Sequence, residues 1–202
     1  MKLIKSVIPK TFAFFLVLTV ICGVIYPLCV SGISQVFFQK QAKGSIIEID
    51  GVKYGSELLA QEFTSDTYLW GRPMNADIST YTDEEGNPVL YAGPSNKSPA
   101  GEELETMIAE RVERIKAAHP EKEGQPVPSD LVTVSGSGLD PEISPAAAEY
   151  QVERISKARG ISKNDVESVI EQYSTGRTFG IFGEPRVNVL KVNLALDGIL
   201  KG

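Results

Sequence analysis

The sequence predicts an α+β chain, with a single N-terminal transmembrane helix followed by one compact mixed α/β extracytoplasmic domain. Three observations predict it. Thr11 to Gln39 contains 29 residues and no charged side chain, between Lys10 and Lys40. No second apolar run of that length follows. Beyond it, helix-spaced apolar stripes with capping residues are interleaved with short strand-like runs and turn dipeptides. The 202 residues therefore divide into a cytoplasmic N-terminus (1–10), a membrane helix with its interfacial extension (11–38) and a soluble extracytoplasmic domain (39–202).

A hydrocarbon layer about 30 Å thick needs roughly 20 apolar residues in a helix. Thr11 to Val30 supplies them, and Ser31 to Phe38 extends the run into the interface. Val30-Ser31-Gly32 resembles a leader cleavage site. The apolar stretch exceeds a signal core, however, and Phe37 and Phe38 suit an interfacial anchor. Pro27 frees a helix carbonyl and is expected to bend the span. Gly23, Gly32 and the two cysteines add small side chains of the kind that let helices approach closely in lipid. Cys22 and Cys29 share a helix face but lie about 10 Å apart along it, too far to pair.

Charge separates the two parts. Residues 1–43 hold five lysines and no acid, whereas residues 44–202 hold 15 basic and 26 acidic residues, a net charge of −11. So acidic a domain is a poor partner for nucleic acid or for an anionic bilayer surface. Lys2, Lys5 and Lys10 precede the span and Lys40 and Lys43 follow it, which favours a cytoplasmic N-terminus.

In the soluble domain, Asp50-Gly51 between Ser45–Ile49 and Val52–Tyr54 signals a hairpin. Tyr68-Leu69-Trp70 reads as a strand ended by Gly71-Arg72-Pro73. Met74 to Gly101 shows little periodicity and reads as a long loop. Glu102 to Ala118 is an amphipathic helix with Leu104, Ile108, Val112 and Ile115 on one face, ended by His119-Pro120. Leu131 to Val134 suggests a buried strand. Ser144-Pro145 opens a helix that Gly160 closes, and Ser162 with Asp165 forms a capping box for the next. Val187 to Leu200 carries Val189, Val192, Leu196 and Leu200 at helical spacing and is able to begin as a strand.

Few residues suggest chemistry. His119, the only histidine, is expected as a cation at an exposed helix end. Ser135-Gly136-Ser137-Gly138-Leu139-Asp140 lacks the Gly-Lys-Ser/Thr of a phosphate loop and reads as a flexible turn. Thr178-Phe179-Gly180-Ile181-Phe182-Gly183 reads as a turn with two core aromatics. Glu84-Glu85 and Glu102-Glu103 read as solvated surface. A chain with an anchor and a soluble domain, but no evident nucleophile, base or metal cluster, suits a subunit without its own catalytic site. An anchored extracytoplasmic hydrolase and an anchored ligand-binding sensor are the alternatives.

The chain resembles the C subunits of the Kdp high-affinity potassium-transporting ATPase. The likeness runs through Gly23-Val24-Ile25-Tyr26-Pro27; Gly55-Ser56 with Leu58, Gln61 and Phe63; Trp70-Gly71-Arg72-Pro73; and Gly93, Ser95 and Asn96. It continues through Leu131-Val132-Thr133, Ser137-Gly138-Leu139-Asp140 and Ile143-Ser144-Pro145, then Ala148, Gln151, Val152, Arg154, Ala158 and Arg159. It ends with Gly183, Pro185, Val187-Asn188-Val189-Leu190 and Asn193-Leu194-Ala195-Leu196-Asp197. Pro94 departs from the second glycine often found before Ser-Asn in the family.

The resemblance implies a single-pass subunit of the bacterial plasma membrane, in a complex that imports potassium at the expense of ATP. Its partners there are a potassium-conducting subunit, a P-type ATPase subunit and membrane lipid. The chain would hold no cofactor of its own, ATP being bound by the ATPase subunit. The family is described as a catalytic chaperone that raises the ATP affinity of that subunit, and Gln151 matches the glutamine invoked for ATP contact. Gly23, Tyr26, Pro27, Trp70, Arg72 and Asn96 are the implied partner-facing residues. A domain outside the membrane does not reach cytoplasmic ATP, so the topology favours an assembly role.

Overall fold

Pro27 shapes the first unit of the chain. The computed structural model describes residues 2–201, with side chains described except at 2–5 and 78–80. It resolves into two compact units, Met1–Ile46 and Ile47–Gly202. In the first, helix α1 (Lys2–Val20) passes through a π-helical turn (Ile21–Ile25) into α2 (Tyr26–Phe37). Proline has no N–H, so the Gly23 carbonyl four residues earlier has no α-helical donor. The turn upstream widens instead, and the Tyr26 N–H reaches the Ile21 carbonyl five residues back. The proline thus expresses itself as a local π turn. Ser6–Phe37 is long and apolar enough to cross a membrane and buries no side chain. Its 32 residues extend about 48 Å at helical rise. A short helix, α3 (Gln39–Ala42), follows.

The second unit begins with the expected hairpin, β1 (Ile46–Ile49) and β2 (Val52–Ser56). Asp50 and Gly51 have φ of 51° and 78°, the two left-handed residues that a type I′ turn demands. The expected loop after Met74 contains a second hairpin, β3 (Ala76–Thr82) and β4 (Pro88–Ala92), paired antiparallel. Asp83 builds its turn by accepting from the Glu85 and Asn87 backbone N–H groups and from Asn87 Nδ2. Among the described residues the ribbon has no third strand, and Tyr81, Val89, Leu90 and Tyr91 are exposed on it. An exposed two-stranded ribbon buries little on either face, so its strands lack the alternation that marks a strand in sequence.

The rest is helical around a small sheet. Helix α4 spans Glu102–Ala118, as its apolar spacing predicts. Strands β5 (Glu142–Ile143), β6 (Ser174–Thr175) and β7 (Arg186–Asn188) form an antiparallel sheet with β7 in the centre. Helix α5 (Pro145–Tyr150) is capped by Ser144, and α6 (Val152–Arg159) follows Gln151 and stops at Gly160. Helix α7 (Lys163–Gln172) opens with a reciprocal capping box between Ser162 and Asp165. Helix α8 (Val189–Leu196) springs from β7, so the last element is strand and then helix. Val189, Val192 and Leu196 of α8 face the main core with Leu69, Ile115, Ile155, Val166 and Val187, while Leu190 and Leu194 pack with Ile47.

Two expected strands do not form. Leu131–Val134 is the end of a 3₁₀ turn (Ser129–Leu131) and an irregular segment, although Leu131 and Val132 are buried as predicted. Tyr68 lies in a bend, and Leu69 and Trp70 follow as irregular chain that pairs with no strand among the described residues. The serine–glycine motif is a chain crossing: Gly138 has φ of 72°, and a Cβ there would lie 2.5 Å from the Gly93 carbonyl oxygen and 2.8 Å from that of Asn75. The Phe179 turn exists, with Thr178 and Phe182 bridged and Phe179 and Gly180 left-handed. Its aromatics are not core, however, because Phe179 is 88% exposed and Phe182 65%.

His119 also differs from its expected role. It is 1% exposed, lodged between Trp70 and Tyr150. Its Nδ1 lies 2.7 Å from the Ile115 carbonyl oxygen, and its Nε2 lies 3.0 Å from Arg154 Nε. Arginine is an obligate donor, so Nε2 accepts and Nδ1 carries the proton of a neutral ring. Burial holds the imidazole below its ordinary pKa, and the neighbouring Arg154 charge adds to that effect. The unfolded chain takes up this proton near pH 6.5, and the folded chain only at lower pH. Stability is therefore expected to fall as pH drops through about 6.5. Glu153, held at about 2 by Lys163 and Lys157, titrates far below that window. Thermal melts from about pH 7.5 to 5.5 should show this slope, and His119→Gln should flatten it. A wild-type profile that rises on acidification would contradict a neutral ring.

Candidate functional site

From Ser65 to Tyr68 the chain makes a turn, closed by the Tyr68 N–H donating to the Ser65 carbonyl at 3.1 Å, and it then enters the core at Leu69 and Trp70 without a strand beside it among the described residues. Its buried carbonyls still need donors. The helices around it have already spent their backbone N–H groups, so side chains must supply them. Six consecutive carbonyls are satisfied in this way. Ser65 accepts from the Trp70 indole at 2.9 Å. Asp66 and Tyr68 accept from Arg154 Nη1 and Nη2 at 2.6 and 3.0 Å. Thr67 accepts from Arg159 Nε, Leu69 from Asn193 Nδ2 and Trp70 from Gln151 Nε2.

Two carboxamides also take the backbone donors. The Leu69 N–H donates to Asn193 Oδ1 at 2.7 Å, and the Trp70 N–H donates to Gln151 Oε1 at 2.8 Å. Each amide therefore makes the two-bond exchange that a neighbouring strand would make. Gln151 is fully buried. Its Nε2 also donates to the Ala147 carbonyl at 3.1 Å, and its Oε1 also accepts from Arg154 Nη2 at 2.7 Å. Both donors and both acceptor positions of this carboxamide are filled. The helix geometry follows from sequence: Gln151 lies four residues from Ala147 and Ile155, on the buried stripe, and Asn193 follows Val192 of the buried face of α8.

Arg154 is the keystone cation. Its guanidinium lies 4.1 Å from the Trp70 ring centroid while bonding two carbonyls, Gln151 and His119. Burial pushes its pKa down to about 10, so it keeps its charge at neutral pH. Arg159 bonds Thr67 and the Leu196 carbonyl and pairs with Asp197 at 2.8 Å, tying the segment to the end of α8.

The structure brings Gln151 and Trp70 together in the core. Trp70 is buried, Arg72 half-buried and Asn96 exposed, the last with φ of 53°. Gly23 lies in the π turn, and Tyr26 and Pro27 open α2. The structural roles of Arg154, Arg159 and Asn193 were not legible in the sequence. Polar residues on otherwise buried helix faces were the available signal.

A groove of about 520 Å³ between Asp130, Asp140, Glu142 and Glu184 is where carboxylates converge. Each acid there has a partner. Asp130 accepts from the Ser144 N–H, Asp140 pairs with Arg72, Glu142 receives Arg186 on both oxygens, and Glu184 pairs with Arg177. Among the described residues, His, Cys, Asp and Glu form no group of three or more able to hold a metal ion.

Known proteins match this arrangement along its length. The family model "KdpC: K+-transporting ATPase, c chain" matches residues 8–198. The "Potassium-transporting ATPase KdpC subunit" of Clostridium botulinum (strain Alaska E43 / Type E3) is 54% identical over 201 residues, covering all of both chains. That of Clostridium perfringens (strain ATCC 13124) is 56% identical over 97% of this chain and 99% of its own. That of Paraburkholderia phytofirmans is 44% identical over 98% of this chain and 100% of its own. The chain belongs to the KdpC family, the c chains of the K+-transporting ATPase.

Proposed function

We propose that this chain is a non-catalytic accessory subunit of an ATP-driven potassium uptake complex. Its role is to hold a potassium-conducting subunit and a P-type ATPase subunit in a working assembly. The observation that carries this reading is the helix Ser6–Phe37, which is apolar, buries no side chain of its own and lies almost wholly within the family match. Such a surface is stable only against lipid or other membrane helices. The body stands on the extracytoplasmic face of the plasma membrane in this proposal, following the lysines ahead of the span. Gly23, Tyr26 and Pro27 would then face a partner helix, and Arg72 and Asn96 a partner's outer surface.

Gln151 acts in this proposal through the fold. Its four hydrogen bonds would have to break before it touched a nucleotide, and the backbone of Trp70 would be left unpartnered. Any influence on ATP affinity in the ATPase subunit would then be transmitted by assembly. Trp70 would serve partners by fixing the Gly71-Arg72-Pro73 segment that follows it.

Two experiments test this. Membranes expressing the complex without this chain should yield separated subunits and no high-affinity potassium uptake. Intact complex and full transport would overturn the role. A cysteine placed at Glu85, in the exposed β3–β4 turn, should react with a membrane-impermeant maleimide in intact cells. Protection until the cells are opened would put the body in the cytoplasm and return ATP contact to consideration.

The role of Gln151 is tested by comparison with Asn193, which belongs to a different helix but serves the same segment. Gln151→Leu and Asn193→Leu should each destabilise the chain by about 2–4 kcal/mol, because each strands a buried backbone donor and acceptor. Both should impair assembly alike. A Gln151→Leu protein of normal melting temperature, with only ATP affinity reduced, would favour direct contact.

A further inference from the structure

In a body of net charge −11, three arginines line one cleft. Arg72, Arg111 and Arg114 contribute to it, Trp70 and Ile115 give it an apolar side, and Glu62 is the only carboxylate among its lining residues. Its volume is about 100 Å³, the scale of one small oxyanion with a water. Arg72 is held by Thr133, Val134 and Asp140 at 3.3–3.4 Å, whereas Arg111 and Arg114 are incompletely satisfied. Arg111 spends Nη1 on the Val132 carbonyl at 3.0 Å. Arg114 makes no hydrogen bond or ion pair with the described residues; its guanidinium lies 5.3 Å from the Trp70 ring centroid. Arg111 is depressed below its ordinary pKa by burial, as befits a cation taken out of water without a counter-charge.

We propose that this cleft binds a phosphate group, with Arg111 and Arg114 as donors and Arg72 closing one side. Arg72 is paired with Asp140, which leaves Arg111 and Arg114 as the cleft's two cations without an ion pair, against Glu62 in the lining. Phosphate carries about −1.5 to −2 at neutral pH and offers several acceptor oxygens. Arginine forks match phosphate oxygens in pairs. The group is either free phosphate or the phosphate of a lipid headgroup. This inference is independent of the accessory-subunit reading, because it is tested on the chain alone.

Trp70 is the only tryptophan, so its fluorescence reports from within the cleft. The full-length chain in uncharged detergent is titrated with inorganic phosphate at constant ionic strength, with acetate as the control. A second arm compares the chain in phosphatidylglycerol nanodiscs with the chain in phosphatidylcholine nanodiscs. Arg114→Gln removes a donor that makes no hydrogen bond or ion pair with the described residues, and should weaken apparent affinity about tenfold while the chain still melts cooperatively. Saturable phosphate binding in detergent supports a free anion. A response confined to phosphatidylglycerol that Arg114→Gln abolishes supports a headgroup. No response in either arm, an equal response to acetate, or a response unaltered in Arg114→Gln overturns the proposal.

Discussion

One constraint organises the body of this protein: a backbone segment that turns at Ser65–Tyr68 and enters the core at Leu69–Trp70, with no strand beside it among the described residues, has to be hydrogen-bonded by side chains. A strand in that position would pair with a neighbour and need nothing more. Helices have no backbone groups to lend along their length. Ser65–Trp70 is therefore held by Gln151, Arg154 and Arg159, which line α5 and α6, and by Asn193 of α8, with the Trp70 indole closing the first carbonyl. These contacts join regions of the chain 81 to 124 residues apart.

The arrangement has a cost that explains its neighbours. A buried guanidinium is stable only if its charge is compensated and its N–H groups are used. Arg154 meets this with four oxygen or nitrogen acceptors and the face of Trp70. One acceptor is His119, which must stay neutral to serve. Its buried position and the nearby positive charge keep it so. The single histidine is thus part of the structural network, and its neutrality and the charge on Arg154 depend on one another.

Features governed by local physics were legible in the sequence. The apolar span, the α4 stripe, the Ser144 and Ser162 caps, the Gly160 stop and the Asp50-Gly51 turn each depend on residues within a few positions. What was misread depends on distant partners. Tyr68–Trp70 has the composition of a strand, but its pairing groups are side chains on helices far along the chain. Gln151 and Asn193 look like polar interruptions of apolar stripes until the segment they hold is seen. His119 follows a helix and precedes a proline, and nothing local shows that Trp70 and Tyr150 enclose it. The β3–β4 ribbon escaped notice for the opposite reason, since with little buried it carries no periodicity.

Where the apolar surface remains exposed is itself informative. Phe179, Ile181 and Phe182 stand outside at the tip of a tight turn. That turn is braced by the Thr178–Phe182 bridge and the Arg177–Glu184 ion pair, so the apolar side chains are presented on an ordered support. Tyr81, Val89, Leu90 and Tyr91 are likewise exposed on a two-stranded ribbon, a structure of marginal stability in water by itself. Scattered apolar residues are ordinary on a surface, whereas ordered apolar tips are costly to leave in water. A chain with a highly specified interior and unsatisfied apolar edges has the physical character of a part built to be covered, as an accessory subunit is.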